Sequence, residues 1–82
     1  MIDAPDAAPA KTTRVIKRSI VIAGHRTSVS LEDAFWRTLK EIAAQNGVSL
    51  AALVATVDAQ RGDANLSSAL RVFTLERMRQ AR

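Results

Sequence analysis

A short amphipathic strand ahead of the helical part of the chain is the feature that most limits the fold. After Gly24, side chains that suit an apolar face alternate with polar ones. The first set is Thr27, Val29 and Leu31, and the polar set is Arg26, Ser28 and Ser30. A single strand cannot satisfy its backbone groups or bury its apolar face alone. It must pair either with residues 15–22, folded back as a hairpin, or with the same strand of a second chain.

Three helices are predicted after this strand. Ser30 is expected to cap the first helix by accepting a hydrogen bond from the Asp33 N–H, and Ser49 to cap the second. Gly47 and Gly62 indicate helix ends, because glycine tolerates the left-handed conformation. The predicted elements are a strand at about residues 25–30, helices at about residues 31–46 and 49–61, and a C-terminal helix at about residues 66–80. The predicted fold class is therefore mainly α with a short β-ribbon.

The length predicts one small domain that depends on a partner subunit for its stability. The chain has 82 residues and no cysteine, so disulfides are excluded, and its single histidine cannot build a metal site alone. Residues 1–13 lack periodicity and predict a flexible arm ahead of a folded domain at residues 14–82. We therefore expect a homodimer or a higher oligomer, and no metal or other cofactor.

Positive charge is concentrated around the predicted strand. The net charge is +4, and residues 14–30 hold four of the basic side chains and no acidic one. Such a segment suits contact with a polyanion.

No stretch approaches the roughly 20 apolar residues that span a bilayer, and residues 1–10 lack the pattern of a signal peptide. We expect a cytoplasmic, nucleoid-associated protein without a membrane partner.

The predicted order of an amphipathic strand, a helix, a four-residue turn and a second helix resembles the ribbon-helix-helix superfamily of the Arc and methionine repressors. Four motifs give a narrower likeness: Lys17-Arg18-Ser19, the block Gly-His-Arg-Thr-Ser-Val-Ser-Leu-Glu at residues 24–32, Phe35-Trp36, and residues 65–71. Together they resemble a small bacterial subfamily with a C-terminal helical extension. The likeness to the superfamily covers about residues 25–61, and that to the subfamily about residues 17–76. It implies that two chains pair their strands into an antiparallel ribbon that enters the DNA major groove.

The resemblance also assigns roles to individual side chains. Arg26 is expected to donate two hydrogen bonds to a guanine, with Ser28 and Ser30 beside it as further base contacts, although Ser30 suits the helix cap better. Phosphate contacts are expected at Lys17, Arg18, His25, Val48, Ser49 and Leu50, the last three through N–H groups at a helix start. The expected dimer core consists of Val29, Leu31, Phe35, Trp36, Leu39, Ile42, Leu53, Val54 and Val57. Family members commonly carry long side chains at the outward strand positions, whereas here only Arg26 is long.

These observations favour a dimeric, sequence-specific regulator of transcription that binds double-stranded DNA as a repressor or autoregulator. One alternative is a protein-interaction module, such as an antitoxin, that holds its partner with the C-terminal helix or the N-terminal arm. Another is a nonspecific DNA-coating protein, which the short serines of the strand favour. An enzyme is not expected, because the sequence has no glycine-rich phosphate loop, no histidine pair and no nucleophile with a plausible base, and a helix start explains Glu32 and Asp33.

Overall fold

A β-hairpin followed by three helices makes up most of the chain. The computed structural model describes residues 10–81. Its elements are α1 (Ala10–Thr13), β1 (Val15–Ile22), β2 (His25–Glu32), α2 (Asp33–Gln45), α3 (Leu50–Gln60) and α4 (Leu66–Gln80). The predicted fold class is confirmed, with helix bounds close to those expected. Residues 1–9 of the predicted arm lie outside the described residues, and its last four form α1, which lies beside α2.

The strand pairs within its own chain. β1 and β2 run antiparallel in continuous register, from Val15 opposite Glu32 to Ile22 opposite His25. Of the two arrangements that the sequence allowed, the hairpin is therefore the one observed. β2 extends two residues beyond the predicted strand, because pairing with the start of β1 keeps Leu31 and Glu32 extended.

A two-residue turn joins the strands. Ala23 and Gly24 have φ angles of 51° and 80°, and positive values at both positions are typical of a type I′ turn. This turn matches the right-handed twist of the strands. Among the described residues, Ala23 is the one non-glycine residue with positive φ. For a residue with a Cβ, this conformation costs about 1 kcal/mol.

The predicted helix cap at Ser30 is wrong. Ser30 lies inside β2, and α2 begins three residues later. The Asp33 N–H donates to the Arg14 carbonyl at 3.0 Å. The hairpin brings this carbonyl to the start of α2, where it takes the place of a side-chain cap. Glu32, at the N-cap position, makes no capping hydrogen bond with its side chain.

The starts of α3 and α4 are capped by side chains. The predicted cap at Ser49 is confirmed, because its Oγ accepts from the Ala52 N–H at 3.0 Å. Asn65 Oδ1 accepts from the Ser68 N–H at 3.1 Å, a second cap that the sequence interpretation did not predict. Both residues have the extended backbone that an N-cap requires.

The three main helices are short and separated by tight turns. Gly47 and Gly62 follow α2 and α3 with φ angles of 70° and 61°, as predicted for helix ends.

No single helix within residues 10–81 is long and apolar enough to cross a membrane. Among the described helices, only α2 and α3 taken together are long and apolar enough by length and composition, and they are bent by 103° relative to each other.

The hydrophobic core forms inside one chain, between the hairpin and the three helices. The buried apolar side chains are Ile22, Val29, Leu31, Leu39, Ile42, Ala43, Leu53, Val54, Val57, Leu66 and Leu70. Seven of the nine residues expected to form a dimer core belong to this set. Phe35 and Trp36 are half-buried at its margin. The chain's own elements thus cover most of the surface that the sequence interpretation had given to a partner, and α4 contributes through Leu66 and Leu70.

The strained turn leads to a test of the hairpin. Replacing Ala23 with Asn should raise the free energy of unfolding by about 0.5–1 kcal/mol, because asparagine tolerates the left-handed conformation and Asn-Gly is a preferred type I′ pair. Urea denaturation measures the change. Ala64→Asn, at an exposed position between α3 and α4, is the matched control and should give no such gain. Equal effects of both substitutions would contradict the turn assignment.

Candidate nucleic-acid interface

The hairpin has an inner face toward the helices and an outer face toward solvent. Register and alternation together place eight side chains on the outer face. They form the cross-strand pairs Val15–Glu32, Lys17–Ser30, Ser19–Ser28 and Val21–Arg26. All are exposed except Ser30 and Glu32, which are half-buried. The outer face is therefore a two-stranded, mostly polar ribbon supplied by one chain.

The outer face brings together most of the residues predicted to contact DNA on the strands. Arg26 and Ser28 lie two residues apart along β2 and are both exposed. Lys17 joins them from β1, opposite Ser30. The one acidic side chain among the eight, Glu32, lies at the far end of the ribbon, where it pairs with Arg71. The end of the outer face near the hairpin tip thus presents positive charge and hydroxyl groups and carries no carboxylate.

Two outer-face residues, Ser19 and Val21, were missed by the sequence interpretation. It assigned base contact to a single strand, so the β1 side of the ribbon received no such role. The signal was present, because residues 15–22 are rich in β-branched side chains and Ala23-Gly24 separates them from β2 by a two-residue loop. Recognising the hairpin would have identified both side chains from the register.

Arg18 lies on the inner face, away from Lys17. Its Nη2 donates to Asp33 Oδ1 at 3.0 Å, and its guanidinium carbon is 4.5 Å from the centre of the Trp36 ring. Only 22% of its side chain is exposed, and its buried Nη1 has no hydrogen-bond partner within residues 10–81. The ion pair and the cation–π contact hold Arg18 inside the protein. Its expected phosphate contact therefore does not share the surface of Lys17 and Arg26.

His25 lies at the hairpin tip. It pairs with Ile22 across the turn and is exposed. By strand alternation, its side chain is on the side of Val29, not on that of Arg26. The structure therefore places His25 next to the outer face without making it part of that face.

The start of α3 offers fewer N–H donors than the sequence interpretation had assumed. The Val48 N–H donates to the Ala43 carbonyl at 3.0 Å, so this group is already occupied. The Ala52 N–H is satisfied by the Ser49 cap. The N–H of Leu50 lies in the first turn, where a helix provides no acceptor of its own. Of the three residues expected here, Ser49 and Leu50 keep a geometry that suits an anion.

Helix α4 holds the end of β2 through two side chains. Ser67 Oγ accepts from the Ser30 N–H at 3.1 Å, and Arg71 Nε donates to Glu32 Oε1 at 2.9 Å. The Arg71 guanidinium also lies 3.5 Å from the Ser30 carbonyl. We call these contacts of Ser67 and Arg71 the α4 clamp. The hydrogen bond from Arg71 is the main reason why the pKa of the Glu32 carboxyl group lies below its ordinary value.

The α4 clamp covers part of the open edge of β2. In a two-residue hairpin, the residues that close the turn are a hydrogen-bonded pair, so alternate residues of β2 point their backbone groups away from β1. Arg26, Ser28 and Ser30 are such residues. Ser67 and Arg71 cover the edge at Ser30, whereas no hydrogen bond among the described residues covers it at Arg26 and Ser28. The sequence interpretation did not predict this arrangement.

Comparison with known proteins gave one family and one solved structure. A family model described as a ribbon-helix-helix domain matches residues 15–78. The chain is also similar to the structure of an uncharacterized protein from Bordetella pertussis Tohama I, with a TM-score of 0.78 and 36% sequence identity. That match covers 94% of this chain and 66% of the other, so this chain spans just under two thirds of its length. No curated protein matched.

The lowered pKa of Glu32 leads to a pH-dependent test of the α4 clamp. A carboxylate with a depressed pKa in the folded state adds stability at neutral pH, and this is lost as the pH falls through that pKa. Glu32→Gln should therefore be less stable than the wild type at pH 7, with a difference that closes on acidification. Urea denaturation from pH 7 to about pH 3 measures this.

Glu41→Gln is the matched control for the loss of one negative charge. Glu41 is exposed on α2 and forms no ion pair among the described residues. The control should resemble the wild type at pH 7. A Glu32→Gln variant as stable as the wild type at neutral pH would contradict a stabilising role for the contact with Arg71.

Proposed function

Because this chain belongs to the ribbon-helix-helix family, we propose that it is a dimeric, sequence-specific DNA-binding regulator of transcription that inserts a β-ribbon into the major groove. The family consists of DNA-binding and antitoxin-type regulators. The single observation that carries the proposal is the outer face, where Lys17, Ser19, Arg26 and Ser28 form one exposed surface on a two-stranded ribbon. A two-stranded ribbon of this kind fits the width of the major groove.

In this proposal, base recognition rests mainly on Arg26. Its guanidinium can donate two hydrogen bonds to the O6 and N7 atoms of a guanine, the commonest specific contact in protein–DNA complexes. Ser28, the next outward residue, donates to or accepts from an adjacent base edge. Lys17 and the N–H groups at the start of α3, at Ser49 and Leu50, bind phosphates and set the orientation of the ribbon.

The dimer is proposed to form along the open part of the β2 edge. Backbone groups of Arg26 and Ser28 point away from β1, and an exposed strand edge is a template for another strand. A second copy that pairs there in antiparallel fashion would place the two β2 strands side by side about a two-fold axis, as the central two-stranded ribbon of a four-stranded sheet. Two-fold symmetry in the protein predicts a roughly palindromic DNA site.

Selection of genomic DNA fragments by the purified protein tests this function. At about 0.15 M salt, weak phosphate contacts are substantially screened, so sequence preference dominates recovery. Enrichment of a short, roughly palindromic motif is the expected result. Uniform recovery would instead indicate a nonspecific coating protein, and the absence of any recovery would contradict DNA binding.

A second candidate function is the binding of a protein partner, as in an antitoxin. One observation favours it: α4 leaves three large apolar side chains exposed. They are Val72, Leu75 and Met78, with exposures of 58%, 52% and 43%. Co-purification of a second protein that is lost in a Leu75→Asp variant, with DNA selection unchanged, would support this role. The two functions are compatible because the outer face and this side of α4 share no residues.

Substitution of Arg26 separates base recognition from simple attraction to phosphate. Arg26→Ala should lose preference at one base pair in each half-site, worth about 1–3 kcal/mol of discrimination. Competition binding between the selected site and single-base variants measures it. Arg79→Ala removes the same charge from an exposed position on α4 and should keep the preference of the wild type. An Arg26→Ala protein with unchanged preference would disprove the proposed contact.

A further inference from the structure

The tip of the outer face carries a large exposed apolar side chain to which the proposed function assigns no role. Val21 is 55% exposed and lies directly opposite Arg26. We propose that Val21 determines specificity by contacting the C5-methyl group of a thymine next to the guanine bound by Arg26. This inference rests on the proposed function and adds the identity of a second base to it.

The chemistry around Val21 favours DNA over an apolar protein surface. Its neighbours on the outer face are Arg26 across the ribbon and Ser19 on its own strand, with Ser28 diagonally opposite. A protein partner that covered Val21 with apolar atoms would have to desolvate the Arg26 guanidinium at the same time, which is costly without a partner for the charge. A DNA groove provides acceptors for that charge. The thymine methyl is the apolar group that base edges present in the major groove.

The register sets how far apart the two contacts are. Val21 and Arg26 lie directly opposite each other in the register. The pair that closes the turn is hydrogen-bonded and pairs alternate along the strands, so Val21 and Arg26 form a non-hydrogen-bonded pair. In such a pair the Cα atoms are closer together, about 4.5 Å apart. Successive base pairs are about 3.4 Å apart along the DNA axis. Two side chains at this spacing can reach neighbouring base pairs. The contacted thymine is therefore expected next to the guanine, on either strand.

The tip is held firmly enough to present Val21 in one position. The next residue, Ile22, is only 7% exposed and anchors the end of β1 in the hydrophobic core. Valine itself is stiff, because its β-branched side chain strongly restricts χ1. Val15 is exposed to a similar extent, at 52%, but lies at the other end of the outer face, opposite Glu32. It provides a matched control of the same residue type.

The test replaces single thymines by uracil in the duplex enriched by genomic selection. Uracil keeps the hydrogen-bonding edge of thymine and lacks only the methyl group. The wild-type protein should bind about fourfold more weakly when one particular thymine in either half-site is replaced, which is the effect of one buried methyl group. That thymine should adjoin the guanine whose recognition is lost in Arg26→Ala.

Variants of Val21 and Val15 show which of the two valines is responsible for the sensitivity to the thymine methyl group. Val21→Ala changes both subunits of the proposed dimer, so it should bind the thymine duplex about fourfold more weakly per half-site than the wild type and should not distinguish thymine from uracil. Val15→Ala should keep the full sensitivity to uracil. Retention of that sensitivity in Val21→Ala would overturn the inference, as would a wild type that binds its site specifically but is indifferent to every uracil substitution. Absence of a selected site would contradict the proposed function itself, and the inference with it.

Discussion

The pairing of β1 with β2 is the constraint on which the rest of the structure depends. An isolated amphipathic strand would leave backbone groups unpaired and an apolar face in water. The intrachain ribbon satisfies one edge of each strand and turns Val29 and Leu31 toward the helices, where they are almost completely buried. It also brings the Arg14 carbonyl to the start of α2, which replaces a side-chain cap. Helix start, core and outer face all follow from this one register.

Helix α4 completes this arrangement from the other side. Leu66 and Leu70 join the core, while Ser67 and Arg71 bind the end of β2. One helix therefore buries apolar surface and fixes the strand that carries Arg26. Among residues 10–81, the clamp covers the β2 edge near Ser30, and no hydrogen bond covers this edge at Arg26 and Ser28. The extension beyond α3 is thus part of the domain and not an appendage to it.

The basic residues of the hairpin are sorted by the pleat of the strands. Lys17 and Arg18 are adjacent in sequence, yet strand alternation places them on opposite faces. Arg18 becomes structural, between Asp33 and Trp36, whereas Lys17 stays exposed beside Ser30. A count of positive charges therefore overstates the cationic surface available to DNA. The proposed interface relies on a few well-placed side chains, with Arg26 as the principal one.

The sequence by itself determined the features that depend on near neighbours along the chain. Alternation identified the two faces of β2, apolar periodicity placed the three helices, and Ser49, Gly47 and Gly62 marked helix ends, because each signal acts within a few residues. Only the tertiary structure decided the strand partner, the position of Arg18, the burial of the core within one chain, and the α4 clamp. The clamp joins residues 37 to 41 positions apart. Such contacts are set by how the whole chain packs, since local propensity is the same whether a strand pairs with its own chain or with another.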